Sequence, residues 1–367
     1  MWTVGEVFCG AGGSALGFQR AGFQIVWGID NDESACKTFE HNIGGTCRNG
    51  KVEDTDFSSL PAVSGLSFGL PCNDFSSLGK RRGLNGYYGS LYKHAVRAVS
   101  EISPLWFVAE NVPGFMAKNK GSAVLQELAD AGRGYIVTVH LYKFEQYGVP
   151  QTRWRIIACG IRSDLGMLFR PPAPTHTTPV TCEEALRGVE EVPHNNEMPR
   201  HKTRTVELLR AIPEGSNAWD PAVPEHLRLN AAGCRMKLIY RRLKRDMPAY
   251  TVVASGGGGT YVYHFEEPRA LTNRERARLQ TFPDSFIFFG PPTAVRRQIG
   301  MAVPPLGAEA VARALRSCLL GHYYASVEPS EGVVFPRGAS GSVPHEPGSR
   351  TAAETRDAAA ESRGVAL

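Results

Sequence analysis

Thr3-Val4-Gly5-Glu6-Val7-Phe8-Cys9-Gly10-Ala11-Gly12-Gly13-Ser14 is the stretch on which the fold turns. Thr3–Phe8 reads as a short strand, and Ser14–Ala21 has the apolar spacing of a helix. The glycines between them allow a tight strand-to-helix turn and close approach of a ligand to the backbone. A second strand, Gln24–Ile29, closes on Asp30, where a carboxylate can accept both ribose hydroxyls of a nucleoside. The turn lacks the Lys-Ser/Thr of a phosphate loop and is not a clean dinucleotide fingerprint. NAD, a flavin and S-adenosylmethionine all remain open on this local evidence.

Outward from this unit the same alternation continues. A helix is expected from Glu33 to about Asn42, and strands at Leu66–Leu70, Leu105–Ala109, Ile136–Leu141 and Ile156–Ile161. Strands alternating with helices predict an α/β fold with a largely parallel, doubly wound sheet. The pattern breaks at Pro171-Pro172-Ala173-Pro174 and returns at Thr272–Thr281, a helix with Glu275 at capping-box spacing from Thr272. Four segments follow: a first domain over 1–170, a small inserted domain over 171–267, a return to the first over 268–325, and a tail over 326–367. The tail is rich in Ser, Gly, Pro, Ala and Glu and is expected to be disordered.

Composition bounds the function. The chain of 367 residues is 42% apolar and 21% charged, ordinary for a globular protein. It has no run of 18 apolar residues, and no basic region precedes Trp2-Thr3-Val4, so neither a membrane span nor a secretory signal is expected. Eight cysteines without a C-x-x-C pair argue against zinc and against a disulfide scaffold. The net charge of +5 permits a nucleic-acid partner. More informative is Arg235–Arg245, where six cations alternate with apolar and aromatic residues, a candidate phosphate-contacting strip.

Three further segments carry chemistry. Pro71-Cys72 follows a strand, and the cationic loop Gly79-Lys80-Arg81-Arg82-Gly83 would favour the thiolate of Cys72. Glu110-Asn111-Val112 ends an apolar strand, a place for a catalytic acid or for a simple helix-end charge. Gln151-Thr152-Arg153-Trp154-Arg155 sets two arginines at i and i+2, which on an extended segment share a face and can clamp an oxygen.

In this order, together with Arg269-x-Leu271-Thr272-x-Arg274-Glu275-x-Ala277-Arg278-Leu279-Gln280 and Gly300-Met301-Ala302-Val303-Pro304-Pro305, these segments resemble the cytosine-5 DNA methyltransferase family of bacterial restriction-modification systems. The resemblance spans residues 8–305. It implies a Rossmann-like S-adenosylmethionine-dependent domain, with the insertion at 171–267 as target-recognition domain. It implies that Phe8 stacks on adenine, that Gly10 and Gly12 approach the cofactor, that Asp30 holds the ribose, that Asp54 meets the adenine amino group and that Pro71 borders the same pocket. The catalytic set it implies is Cys72 adding to carbon 6 of a flipped-out cytosine, Glu110 at N3, and Arg155 with Arg153 at O2. Its DNA contacts would be Ser76, Arg82, Gln151, Arg235, Lys237, Arg241, Arg242 and Thr251, with the loop Ser76–Gly89 as a lid.

Duplex DNA is the implied partner, with a restriction endonuclease acting separately. A cytoplasmic monomer, reaching the nucleoid through DNA, is expected. Two departures stand out: Asn73 where the family has Gln, and Met301 where it has Asn. A related enzyme acting on tRNA and a silent DNA-binding regulator are the alternatives; the basic insertion favours duplex DNA over the first, and the intact Cys, Glu and Arg set argues against the second.

Overall fold

The computed structural model describes residues 1–70, 90–229, 238–254, 256 and 259–338. In chain order its strands and helices are β1 (Thr3–Val7), α1 (Gly13–Arg20), β2 (Gln24–Asp30), α2 (Glu33–Ile43), β3 (Thr46–Asn49), β4 (Gly65–Gly69), α3 (Tyr92–Ile102), β5 (Trp106–Asn111), α4 (Lys120–Asp130), β6 (Tyr135–Lys143), β7 (Gln151–Thr152), β8 (Trp154–Arg162), α5 (Cys182–Leu186), α6 (Thr203–Ala211), β9 (Ala249–Tyr250), α7 (Asn273–Leu279), α8 (Pro292–Met301), α9 (Pro305–Leu319) and β10 (Val333–Val334).

Eight strands form one sheet in the order β10-β6-β8-β5-β4-β1-β2-β3. The run β5-β4-β1-β2-β3 is parallel, whereas β8 pairs antiparallel with both β5 and β6. The chain therefore leaves β1 toward β2 on one side and returns through β4 on the other. Such a switch point opens a crevice at the carboxyl ends of the strands, the usual ligand edge of an open α/β sheet. Strand β3 was not expected; its pattern of one buried residue among three exposed ones carries little periodic signal.

Each face of the sheet has its own apolar core. One face gathers α1, α9 and the rings of Phe18, Phe23 and Trp106, with Phe18 stacked on Trp106 at 5.5 Å between centroids. The opposite face gathers α3 and α4 over Phe107, Tyr135 and Val137. Close approach of α1 to α9 requires Gly17, where a Cβ would fall 2.5 Å from that of Ala308. A third, smaller core joins Leu208, Leu209, Ile212, Val223, Leu227 and Tyr263 within the insertion. The inserted region is not wholly separate, since Cys182, Leu186, Ala249 and Val252 belong to the first core.

The returning helix α7 has its expected cap. Thr272 accepts from the Glu275 N–H and the Glu275 carboxylate accepts from the Thr272 N–H. Disorder is expected from residue 326, and the first dozen residues of that tail depart from it: β10 adds to the edge of β6, and Ser330 Oγ accepts the Leu141 N–H at 2.9 Å. An edge strand offers unpaired backbone groups, and even a polar segment gains by pairing with them. No helix among the described residues is long and apolar enough to cross a membrane.

Candidate functional site

At the carboxyl end of β1 the backbone turns sharply. Phe8 has φ +58°, and Gly10 and Gly12 have φ +54° and +88°. A bulky residue in the left-handed region is strained, and such strain persists where the surroundings enforce it, often at functional sites. The turn is held by Asp30 at the end of β2, whose two carboxylate oxygens accept the N–H groups of Gly10 and Asp32, each at 2.9 Å. Burial raises the proton affinity of Asp30, and these two bonds oppose it. Each oxygen keeps a further lone pair, enough to receive two vicinal hydroxyls. A nucleoside-type ligand fits this cradle. Asp54 is exposed on a single 3₁₀ turn beyond β3.

One crevice wall along, Glu110 stands one residue before the end of β5, and β8 begins with Trp154 and Arg155. Arg155 Nε meets Glu110 Oε1 at 2.7 Å, with both side chains largely buried. Arg155 Nη1 also donates to the Trp154 carbonyl at 2.7 Å. A carboxylate and a guanidinium so joined present one acceptor edge and several donors side by side, a match for a heterocycle bearing both a ring nitrogen and a carbonyl. The Leu70 N–H donates to the Glu110 carbonyl at 3.1 Å, so the chain leaving β4 toward residue 72 starts beside Glu110. Pro71, Cys72, Ser76, Arg82, Arg235 and Lys237, with the lid loop, lie outside the described residues.

A sequence profile for C-5 cytosine-specific DNA methylases matches residues 2–317. The type II methyltransferase M.BbvI of Brevibacillus brevis is 48% identical over 350 residues, covering 88% of this chain and 93% of that protein. M.NgoFVII of Neisseria gonorrhoeae is 42% identical, covering 87% of each. The chain belongs to the C-5 cytosine-specific DNA methylase family. A solved prophage-encoded DNA modification methyltransferase from E. coli (described as putative) is 25% identical with a TM-score of 0.65, covering 87% of this chain and 100% of that one. The Dnmt2 structure from Spodoptera frugiperda shares the fold, with a TM-score of 0.58 at 14% identity. The methylase therefore has the Rossmann-like fold of S-adenosylmethionine-dependent enzymes and uses that cofactor to methylate carbon 5 of cytosine in DNA.

Three residues expected to touch substrate do something else in the methylase. Arg153 is 1% exposed; its guanidinium donates to the carbonyls of Val252, Gly300 and Ala302, clamping the insertion to the junction of α8 and α9. Gln151 is fully buried, donating to Leu279 O and Gln280 Oε1 and accepting from the Val252 N–H. Arg242, expected on DNA, sends five hydrogen bonds to the carbonyls of Leu209, Ile212, His264, Phe265 and Glu266. Sequence periodicity in so short an irregular segment carries no sign of which arginine turns inward. Arg241 remains half-exposed, its guanidinium over the Tyr250 ring at 4.8 Å. Thr251 Oγ1 donates to the Thr152 carbonyl at 2.8 Å. Met301, the departure in the last motif, is 60% exposed.

One group escaped the sequence reading. Glu6, inside β1, is 2% exposed, and burial raises its carboxyl from 4.5 to about 7 against the opposing contacts of Ser14, Ser67 and the Ala15 N–H. The signal was an acid in an otherwise apolar parallel strand. A carboxyl whose folded value is raised binds its proton more tightly when folded, so stability falls as pH rises from about 4.5 to about 7 and levels off beyond. Glu6→Gln cannot ionise. Its melting temperature relative to the parent is expected to rise between pH 5 and pH 8, by the equivalent of roughly 3 kcal/mol. A difference unchanged with pH would show that Glu6 is ionised throughout.

Proposed function

We propose that the methylase works through a covalent adduct in which the Cys72 thiolate adds to carbon 6 of a flipped-out cytosine. The observation that carries this reading is the Glu110–Arg155 pair at 2.7 Å on the crevice edge. Carbon 5 of an aromatic pyrimidine is a poor nucleophile; addition at carbon 6 turns it into the end of an enamine. Glu110 meets N3 and the exocyclic amine and supports a proton at N3, while Arg155 steadies O2. S-adenosylmethionine, when bound, supplies a methyl group on a positively charged sulfur. Loss of the carbon 5 proton and departure of the thiolate then restore aromaticity. Asp30 holds the ribose, Phe8 stacks on adenine with Gly10 and Gly12 beneath, and Asp54 and Pro71 complete that pocket. The base leaves the duplex at a cost of about a few kcal/mol.

Residues 171–267 serve as the target-recognition domain, with Arg241 and Thr251 on the DNA backbone and Ser76, Arg82, Arg235 and Lys237 as further contacts. Arg153, Gln151 and Arg242 drop out of the contacting set, because their donors are engaged inside the protein. The type II designation of the relatives supports a restriction-modification role, with the endonuclease a separate protein. Action as a monomer is part of the same proposal.

Labelled S-adenosylmethionine with duplex DNA or with tRNA tests the substrate, and Glu110→Gln tests the site. Label is expected in duplex DNA alone, with the Glu110→Gln rate down at least ~100-fold. Label confined to tRNA, or an undiminished variant, would overturn the corresponding part.

A further inference from the structure

Glu6 lies opposite Ser67 in the β1–β4 register, and Gly69 lies opposite Glu110 in the β4–β5 register. Ser67 and Gly69 are two apart on one strand and so face the same side of the sheet. Glu6, Ser67, Gly69 and Glu110 therefore form a diagonal row running from the interior to the crevice edge. The hydroxyls of Ser14 and Ser67 touch the Glu6 carboxyl and stand 2.9 Å from each other, while Glu6 Oε1 has no partner. A cavity of ≈ 20 Å³ has Ser14, Ser67 and Glu110 as its polar lining, with Phe18, Phe68 and Val108 among its apolar walls. That is room for one water. A Cβ at Gly69 would sit 3.6 Å from Glu110 Oε2, so the missing side chain leaves this oxygen open to the cavity.

We propose that Glu6 is a positioning residue that exchanges a proton with Glu110 through the Ser14–Ser67 hydroxyls and one water in this cavity. The inference rests on the role of Glu110 at N3 given above. When Glu110 gives its proton to N3, the water protonates the Glu110 carboxylate, a serine hydroxyl restores the water, and Glu6 restores the hydroxyl, ending ionised. Return of the N3 proton reverses each transfer, so one proton shuttles along the row and none is consumed. Burial keeps the Glu6 proton available up to about pH 7.

Among the described residues, few other titratable groups face Glu6. Cys9, in the turn after β1, feels it, and its thiol is pushed up to about 12 chiefly by burial. On β2 the opposite residue is Gly28. Glu309 of α9 pairs with Arg20 and Arg313, and among the described residues Glu110 is the one titratable group lining the cavity.

Single-turnover methylation of duplex DNA from pH 5.5 to 9 by the full chain, Glu6→Gln, Ser67→Ala and Glu6→Asp tests the proposal, with calorimetric S-adenosylmethionine binding alongside. The parent rate should fall about tenfold per pH unit above about 7, as Glu6 loses its proton. Glu6→Gln and Ser67→Ala should lose that limb and start about tenfold lower, with cofactor affinity within about twofold, and Glu6→Asp should regain a limb. Profiles parallel to the parent would sink the relay, as would a loss residing wholly in cofactor affinity, which would assign Glu6 to the cofactor instead. Should Glu6→Gln fail to fold, Ser67→Ala decides alone. An active Glu110→Gln removes the underlying role of Glu110; an inactive one beside an unshifted Glu6→Gln removes the relay only.

Discussion

Replacing Cys72 with Ala is expected to lower methyl transfer at least ~10⁴-fold while leaving S-adenosylmethionine affinity within about twofold. The size of the effect follows from electronics. Without a nucleophile at carbon 6 the ring keeps its aromaticity, and carbon 5 has no electron pair to offer the methyl group. Nor can another described cysteine substitute. Cys9, Cys36, Cys47, Cys159, Cys182 and Cys318 are all buried with raised thiols. Burial pushes up Cys9, Cys159, Cys182 (to about 12) and Cys318 (to about 11). The hydrogen bond with Cys47 raises Cys36, and against that same Cys36 bond the bond with Cys9 together with burial raises Cys47. Protonated, enclosed thiols do not attack. Duplex DNA carrying 5-fluorocytosine should trap the parent covalently, because fluorine cannot leave as the carbon 5 proton does, and peptide mapping should place the link at Cys72. Full activity in the Ala variant, or a trap at another residue, would remove Cys72 from the mechanism.

The second large effect is expected on stability. Arg242→Ala should destabilise the inserted region by about 3 kcal/mol or more, read as a lower melting temperature and faster proteolysis between residues 205 and 270. One guanidinium answers five carbonyls drawn from two distant segments, 209–212 and 264–266. Its loss leaves buried acceptors unpaired, each costing about 1–3 kcal/mol unless water enters. Lys, with three donors in place of five and no planar fork, should recover only part. Arg241→Ala is the contrasting case: it sits half-exposed on Tyr250 and should weaken DNA binding and its salt dependence while melting close to the parent. A stable Arg242→Ala protein with weakened DNA affinity would restore Arg242 to the DNA surface.

Much of the cofactor end was readable beforehand. Phe8, Gly10, Gly12 and Asp30 fall where the strand–glycine–helix pattern and the next strand end put them, because these features need only neighbours within about twenty residues. Glu110 and Arg155 were each readable as candidates from strand ends, but their ion pair depends on β8 lying antiparallel beside β5, with residues 45 apart in sequence brought to 2.7 Å. Glu6 shows the opposite case. An acid in a strand gives no local sign that two serines and a cavity await it.

Local chemistry along the chain determined the order of its motifs, the α/β alternation, the glycine turn, the capping box of α7 and the family to which they belong. Each depends on backbone geometry and side-chain type over a few residues. Tertiary structure alone decided which arginines are spent on internal carbonyls. A guanidinium takes its role from whichever partners converge on it, and for Arg153 and Arg242 those partners are carbonyls up to 149 residues away.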